Sequence, residues 1–134
     1  LAKNWSKIRS QALEKTKEIA LDVITDDQLF AKGIDGDGGK LPLPYAPFTI
    51  DIKKTLGQPI DRITLKNTGA FHDGFFDNVS GDNIITGSSD SKSAQLHKDW
   101  GQSISSMTKA NTEKYARENV LPILQDSTKK ALGL

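Results

Sequence analysis

Two histidine–carboxylate neighbours are the residues best suited to acid–base or metal chemistry: His72-Asp73 and His97-Lys98-Asp99. A metal-dependent hydrolase or nuclease would need three or four convergent ligands, and His72, Asp73 and His97 are the set this chain could offer. Adjacent residues on a strand point to opposite faces, so His72 and Asp73 could not easily share a proton there. A polar or half-buried histidine is the plainer reading of each. The glycine-rich run Gly33, Gly36, Gly38, Gly39 invites a phosphate loop. It fails on spacing, because Gly39 stands where lysine is required and Leu41 follows Lys40 where Ser or Thr would hold magnesium. Asp35-x-Asp37 has the start of a calcium loop, but Gly39 and Ala46 occupy later ligand positions. A solvated turn suffices. No Gly-x-Ser-x-Gly elbow is present. No catalytic residue, cofactor or metal is assigned.

Composition narrows the remaining classes. The 134 residues suit one domain, 1–134. Lys and Arg number 18 against 17 Asp and Glu, a net charge of +1. Non-specific DNA binding needs a surplus of cations to displace counterions, so a DNA-gripping surface is not expected. There is no cysteine, which excludes disulfides, thiolate zinc and a thiol nucleophile. The apolar share is 36 % and the mean hydropathy −0.47. Much of the chain is therefore expected at a surface, or buried only against a neighbouring subunit. No apolar run approaches the roughly 18–20 residues that span a bilayer, and a soluble cytoplasmic product is the default expectation.

The elements that would position these residues are legible in outline. Residues 3–24 have helical apolar spacing through Trp5, Ile8, Ala12, Ile19, Ala20, Val23 and Ile24. Thr25-Asp26-Asp27-Gln28 has capping-box form, which would start a second helix. One long helix over 3–32, bent near 25 and ended by Gly33, is preferred. Residues 33–48 read as an extended Gly/Pro loop or arm, because Pro42, Pro44 and Pro47 favour extended backbone. Thr49 is placed to cap a helix over 50–56. Arg62–Lys66 alternates as a half-buried strand does. Phe75–Val79 and Asn83–Thr86 form a hairpin across Ser80-Gly81-Asp82. A short helix from Ser88 ends at Trp100-Gly101. A last helix over 108–132 kinks or restarts at Pro122. The fold class is α+β: long N-terminal and C-terminal helices packed on a small antiparallel hairpin, with an extended loop.

The order of these segments resembles the phage virion-morphogenesis, or tail-completion (head–tail connector), family. The resemblance rests on Asp35-Gly36-Asp37-Gly38, on Leu41-Pro42 to Tyr45-Ala46-Pro47, on Thr49 to Lys53-Lys54, and on Leu65-Lys66-Asn67-Thr68-Gly69-Ala70-Phe71. His97-Lys98-Asp99-Trp100-Gly101 stands where the family often has an aromatic, a histidine and a glycine. The motifs cover about residues 20–101 and depart at Asp73-Gly74. The resemblance implies a non-enzymatic structural protein of the virion neck or tail, made in the host cytoplasm. It further implies a homo-oligomeric ring, six-fold or a multiple, bordered by portal, connector or tail-tube proteins. DNA would pass through without sequence-specific binding, and no membrane would be involved. The expected subunit interface comprises Leu41, Pro42, Tyr45, Pro47, Phe48, Phe71, Phe75 and Trp100, with 33–48 as the arm and the 71–87 hairpin facing the ring. A metal-dependent hydrolase and a monomeric adaptor are the alternatives.

Overall fold

Ala12, Thr16, Ala20, Ile24 and Gln28 stand four apart along the first helix, and all five are buried. In an α-helix of 3.6 residues per turn, such a row drifts about 40° per step. The chain counters the drift by changing its winding: α1 (Ala2–Asp22) continues without a break as a π-helical stretch, Val23–Lys32. Its wider i→i+5 turns keep the row on one face. The preferred single long helix is therefore correct, and the capping box is not formed. Thr25 Oγ1 instead donates back to the Leu21 carbonyl at 3.2 Å. Gly33 ends the run at φ 62°, where a Cβ would lie 2.9 Å from Arg62 Cβ and from the Ile63 carbonyl oxygen.

The computed structural model describes residues 2–42, 45–66 and 69–134. Its further elements are α2 (Pro47–Thr55), α3 (Ala70–Asp73), β1 (Phe75–Ser80), β2 (Asn83–Ser88), α4 (Ser93–Trp100), a 3₁₀ turn Gln102–Ser105, α5 (Lys109–Tyr115) and α6 (Leu121–Ala131). The architecture is α+β, long terminal helices against a two-stranded antiparallel hairpin. The strands pair from Phe75↔Ser88 to Ser80↔Asn83, leaving Gly81-Asp82 as a two-residue turn with glycine first. Phe75 and Asp77 face inward while Phe76 and Asn78 face out, the period of two that a strand imposes. Arg9 Nε donates to Asp82 Oδ1 at 2.8 Å and Ser10 Oγ to the Gly81 carbonyl at 2.6 Å, which staples the hairpin tip to α1.

Thr108 caps α5 by accepting from Asn111 N–H at 3.1 Å. The C-terminal run is helical throughout, and its α-helical winding restarts with Pro122 in the first turn of α6. It passes from α5 through a π-helical turn, Ala116–Val120, into α6. Proline lacks the N–H and would crowd the carbonyl four residues back; a wide turn placed just before it relieves both. Tyr115 is buried, and its hydroxyl donates to Thr16 Oγ1 at 2.6 Å while Thr16 donates to the Ala12 carbonyl at 2.8 Å.

The core joins Ile24, Leu29, Leu41, Ile63, Phe71, Phe75 and Ile104. Gln28, almost wholly buried, is its polar clamp. Its Nε2 donates to the Ser106 carbonyl at 2.9 Å, and its Oε1 accepts from Thr108 N–H at 2.9 Å and Asn111 Nδ2 at 3.0 Å. One side chain thus fastens the first helix to the start of the last.

Two local readings are corrected. Residues 62–66 are not a strand. Leu65 has φ 55°, which no extended strand tolerates, and Ile63 and Thr64 are both buried instead of alternating. The segment follows the first helix: Arg62 Nε donates to the Phe30 carbonyl at 2.6 Å. The helix expected over 50–56 begins three residues earlier, with Pro47 in its first turn where the missing amide has no cost. Thr49 lies within it and is not the cap.

Candidate functional site

The His/Asp set is dispersed into the fold. His72 lies on α3, 8 % exposed. A carbonyl can only accept, so its Nε2–H donates to the Thr64 carbonyl at 2.8 Å. Nδ1 is buried without a partner. Burial lowers the His72 pKa from its ordinary 6.5. His97 lies on α4, where Nδ1–H donates to the Ser93 carbonyl at 2.8 Å and Nε2 contacts Ser105 Oγ at 2.9 Å. The Phe71 ring packs edge-on against both imidazoles, at 6.1 Å from each. Asp73 is exposed at the end of α3. Among the described residues, no three His, Cys, Asp or Glu side chains gather as metal ligands. The structure thus does not bring His72, Asp73 and His97 together.

The glycine-rich turn is also committed to the fold. Asp35 Oδ1 accepts from Asp37 N–H at 2.9 Å and Gly39 N–H at 3.2 Å, and Oδ2 accepts from Ser103 Oγ at 2.9 Å. Ile34 bridges Lys40. Gly36 N–H donates to the Ser103 carbonyl at 2.7 Å, and a Cβ on Gly36 would fall 1.9 Å from Ser106 Oγ. Residues 33–41 are therefore a closed turn clamped on 103–106. As an arm, this half of the 33–48 segment is corrected.

The expected interface residues divide in two. Leu41, Phe71 and Phe75 are core residues and cannot face a neighbour without unfolding. Trp100 is half-buried against that core. Tyr45 is half-buried, its hydroxyl donating to the Arg62 carbonyl at 2.8 Å and accepting from Thr64 N–H at 3.3 Å. Pro42 and Pro47 are exposed, and Phe48 is 75 % exposed. Pro44, Asn67 and Thr68, which belong to the arm and the Leu65–Gly69 motif, lie outside the described residues.

Phe48 does not stand alone. Ile52 and Leu56 follow at i+4 and i+8, 40 % and 59 % exposed, and Ile60 beyond them is also exposed. The cause is Lys53, which turns inward: its Nζ lies 4.7 Å from the centre of the Tyr45 ring and 3.4 Å from Gln58 Oε1. That seats Lys53 toward the protein and sets Phe48, Ile52 and Leu56 on an open flank. None of the extensive helix or strand packings among the described residues involves α2. Ile52, Leu56 and Ile60 were not expected at a surface. The signal for the first two was their four-residue spacing from Phe48.

On other elements lies an apolar groove of about 490 Å³. Leu13, Ala20 and Ile24 line it from the first helix, Ile84 and Thr86 from β2, Met107 from the segment before α5, and Tyr115, Ala116 and Val120 from the C-terminal run. Close by, Asp77 is buried, with Oδ1 accepting from Thr86 Oγ1 at 2.5 Å and Oδ2 without a partner. Desolvation raises its pKa above the ordinary 3.8.

No helix among the described residues is long and apolar enough to cross a membrane. No protein-family model matches the chain, and neither a curated protein nor a solved structure matches it.

Proposed function

We propose that this chain is a non-enzymatic structural subunit of a phage neck or tail, a tail-completion or head–tail connector protein that assembles as a ring. The observation that carries the assembly reading is the open flank of α2. Two large apolar side chains one turn apart on a helix, with a third at its C-terminal cap, are an unusual exposure for a small isolated chain, and such patches mark interaction sites. The phage setting rests on the order of motifs from Asp35 to Phe71 in the sequence. A net charge of +1 suits a conduit past which DNA slides, since neutral walls release few counterions.

Magnitude favours a closed assembly over a pair. Burying one such side chain from full exposure contributes about 1.5–3 kcal/mol; at their present exposures of 75, 40 and 59 % the three together contribute roughly 3–5 kcal/mol. Association costs an estimated 4–15 kcal/mol. One such contact is marginal. A ring gives each copy two contacts, and its last contact forms within the assembly, where effective concentration is high. Portal, connector or tail-tube proteins are the neighbours this reading expects. Sedimentation velocity of the purified chain over a hundredfold concentration range tests it. A discrete multimer is expected; one subunit mass throughout would refute it.

A further inference from the structure

We propose that the ridge formed by Phe48 and Ile52 on α2 and Leu56 at its C-terminal cap in one copy seats in the groove between the first helix, β2 and the C-terminal run of the next copy. The inference rests on the ring reading and specifies its joint. The ridge and the groove belong to different elements: no α2 residue lines the groove. A copy that offers its ridge forward therefore keeps its own groove open behind. That is a heterologous contact, the kind that closes into rings when the rotation per subunit fits.

Size and chemistry match. From Phe48 to Leu56 the ridge extends about 12 Å at the helical rise, and the groove floor from Leu13 to Ile24 runs about 16 Å. The walls offer aliphatic carbon and Met107, whose flexible thioether adapts to an incoming side chain, bordered by the neutral polar side chains of Asn83, Thr86, Ser105, Ser106 and Thr112. Charge is permissive as well. Asp82 is the one charged residue among those lining the groove, and it is already paired with Arg9 at 2.8 Å. An apolar ridge entering there strands no charge. An acidic peptide would find no countercharge in the walls, and the one carboxylate a basic peptide could meet is already held by Arg9, which favours a second copy's ridge over a charged partner segment.

The absence of cysteine permits a direct test. Full-length Phe48→Cys and Ala116→Cys proteins are prepared separately, mixed, and treated with a short bismaleimide. Both positions are exposed, and a second pair, Ile52→Cys with Val120→Cys, guards against a variant that fails to fold. The expected result is a covalent heterodimer in each mixture and none in either protein alone. A chain carrying both Phe48→Cys and Ala116→Cys should give a ladder that stops at the ring number. Ile52→Asp should weaken self-association at least tenfold. Phe48→Cys linking to itself would overturn the proposal, because it would make the ridge contact symmetric. An unmodified chain that sediments as a multimer while neither pair links would overturn this joint and leave the ring reading standing. A chain that remains single under all conditions would overturn both.

Discussion

Replacing Gln28 should loosen the attachment of the first helix to the last more than any other polar substitution. Gln28 makes three hydrogen bonds, to Ser106, Thr108 and Asn111, at 2.9–3.0 Å. A net value of about 1 kcal/mol each gives roughly 3 kcal/mol for Gln28→Met, which keeps the length of the side chain and removes the bonds. Gln28→Ala adds a cavity term of about 1 kcal/mol, for roughly 4 kcal/mol. At about 3–4 °C per kcal/mol for a chain of this size, the Tm should fall by about 10 °C for Met and about 14 °C for Ala. Gln28→Glu keeps the acceptor toward Thr108 but faces Ser106 with a second acceptor and buries a charge, so it should be the worst of the three. Gln11→Ala, on the exposed side of α1, should stay within about 0.5 kcal/mol of the parent. Thermal and urea unfolding followed by far-UV circular dichroism measure all four. A Gln28→Met midpoint equal to that of the parent would refute the reasoning, because it would show that the buried amide does not hold the two ends together.

Three further outcomes follow from two buried side chains and one tightly packed glycine. His72 has a lowered folded pKa, so below pH 6.5 the unfolded chain takes up the proton first and stability falls as pH drops. His72→Gln should remove that slope between pH 7 and 5, and denaturant midpoints that track the parent at every pH would count against it. Asp77 has a raised folded pKa; stability contributed by its protonated form is lost as pH rises from 3.8 through the folded value. Asp77→Asn should therefore raise the unfolding midpoint at pH 7, with the advantage vanishing toward pH 3.8, and a lower midpoint at pH 7 would contradict the assignment. Gly36→Ala forces a Cβ against Ser106, an overpacking that costs typically about 1–3 kcal/mol. An unchanged Tm would show that the 33–41 turn is not clamped on 103–106.

Local signals carried much of this architecture. Gly33 and Gly101 end helices, Gly81-Asp82 turns the hairpin, and Thr108 caps the last helical run, each through chemistry confined to a few neighbouring residues. Non-local causes were not legible. Gln28 reads as half of a capping box because its actual partners lie about eighty positions away. The 62–66 alternation suggests a strand, but the left-handed Leu65 and the Arg62–Phe30 bond make it a strap along the first helix. The candidate surface was half-visible for the same reason. Residue type does not separate an exposed aromatic from a core one: of the three phenylalanines expected at an interface, Phe48 is exposed while Phe71 and Phe75 are buried. What exposes Phe48, Ile52 and Leu56 is the inward turn of Lys53 toward Tyr45, a contact that only the folded chain reveals.

Assembly by burial of the α2 flank is tested most directly by the native mass of the intact chain beside a Phe48→Ser, Ile52→Ser, Leu56→Ser triple variant. A closed multimer for the parent and a folded monomer for the variant are predicted. Identical masses for the two, whether single or multiple, would contradict the account.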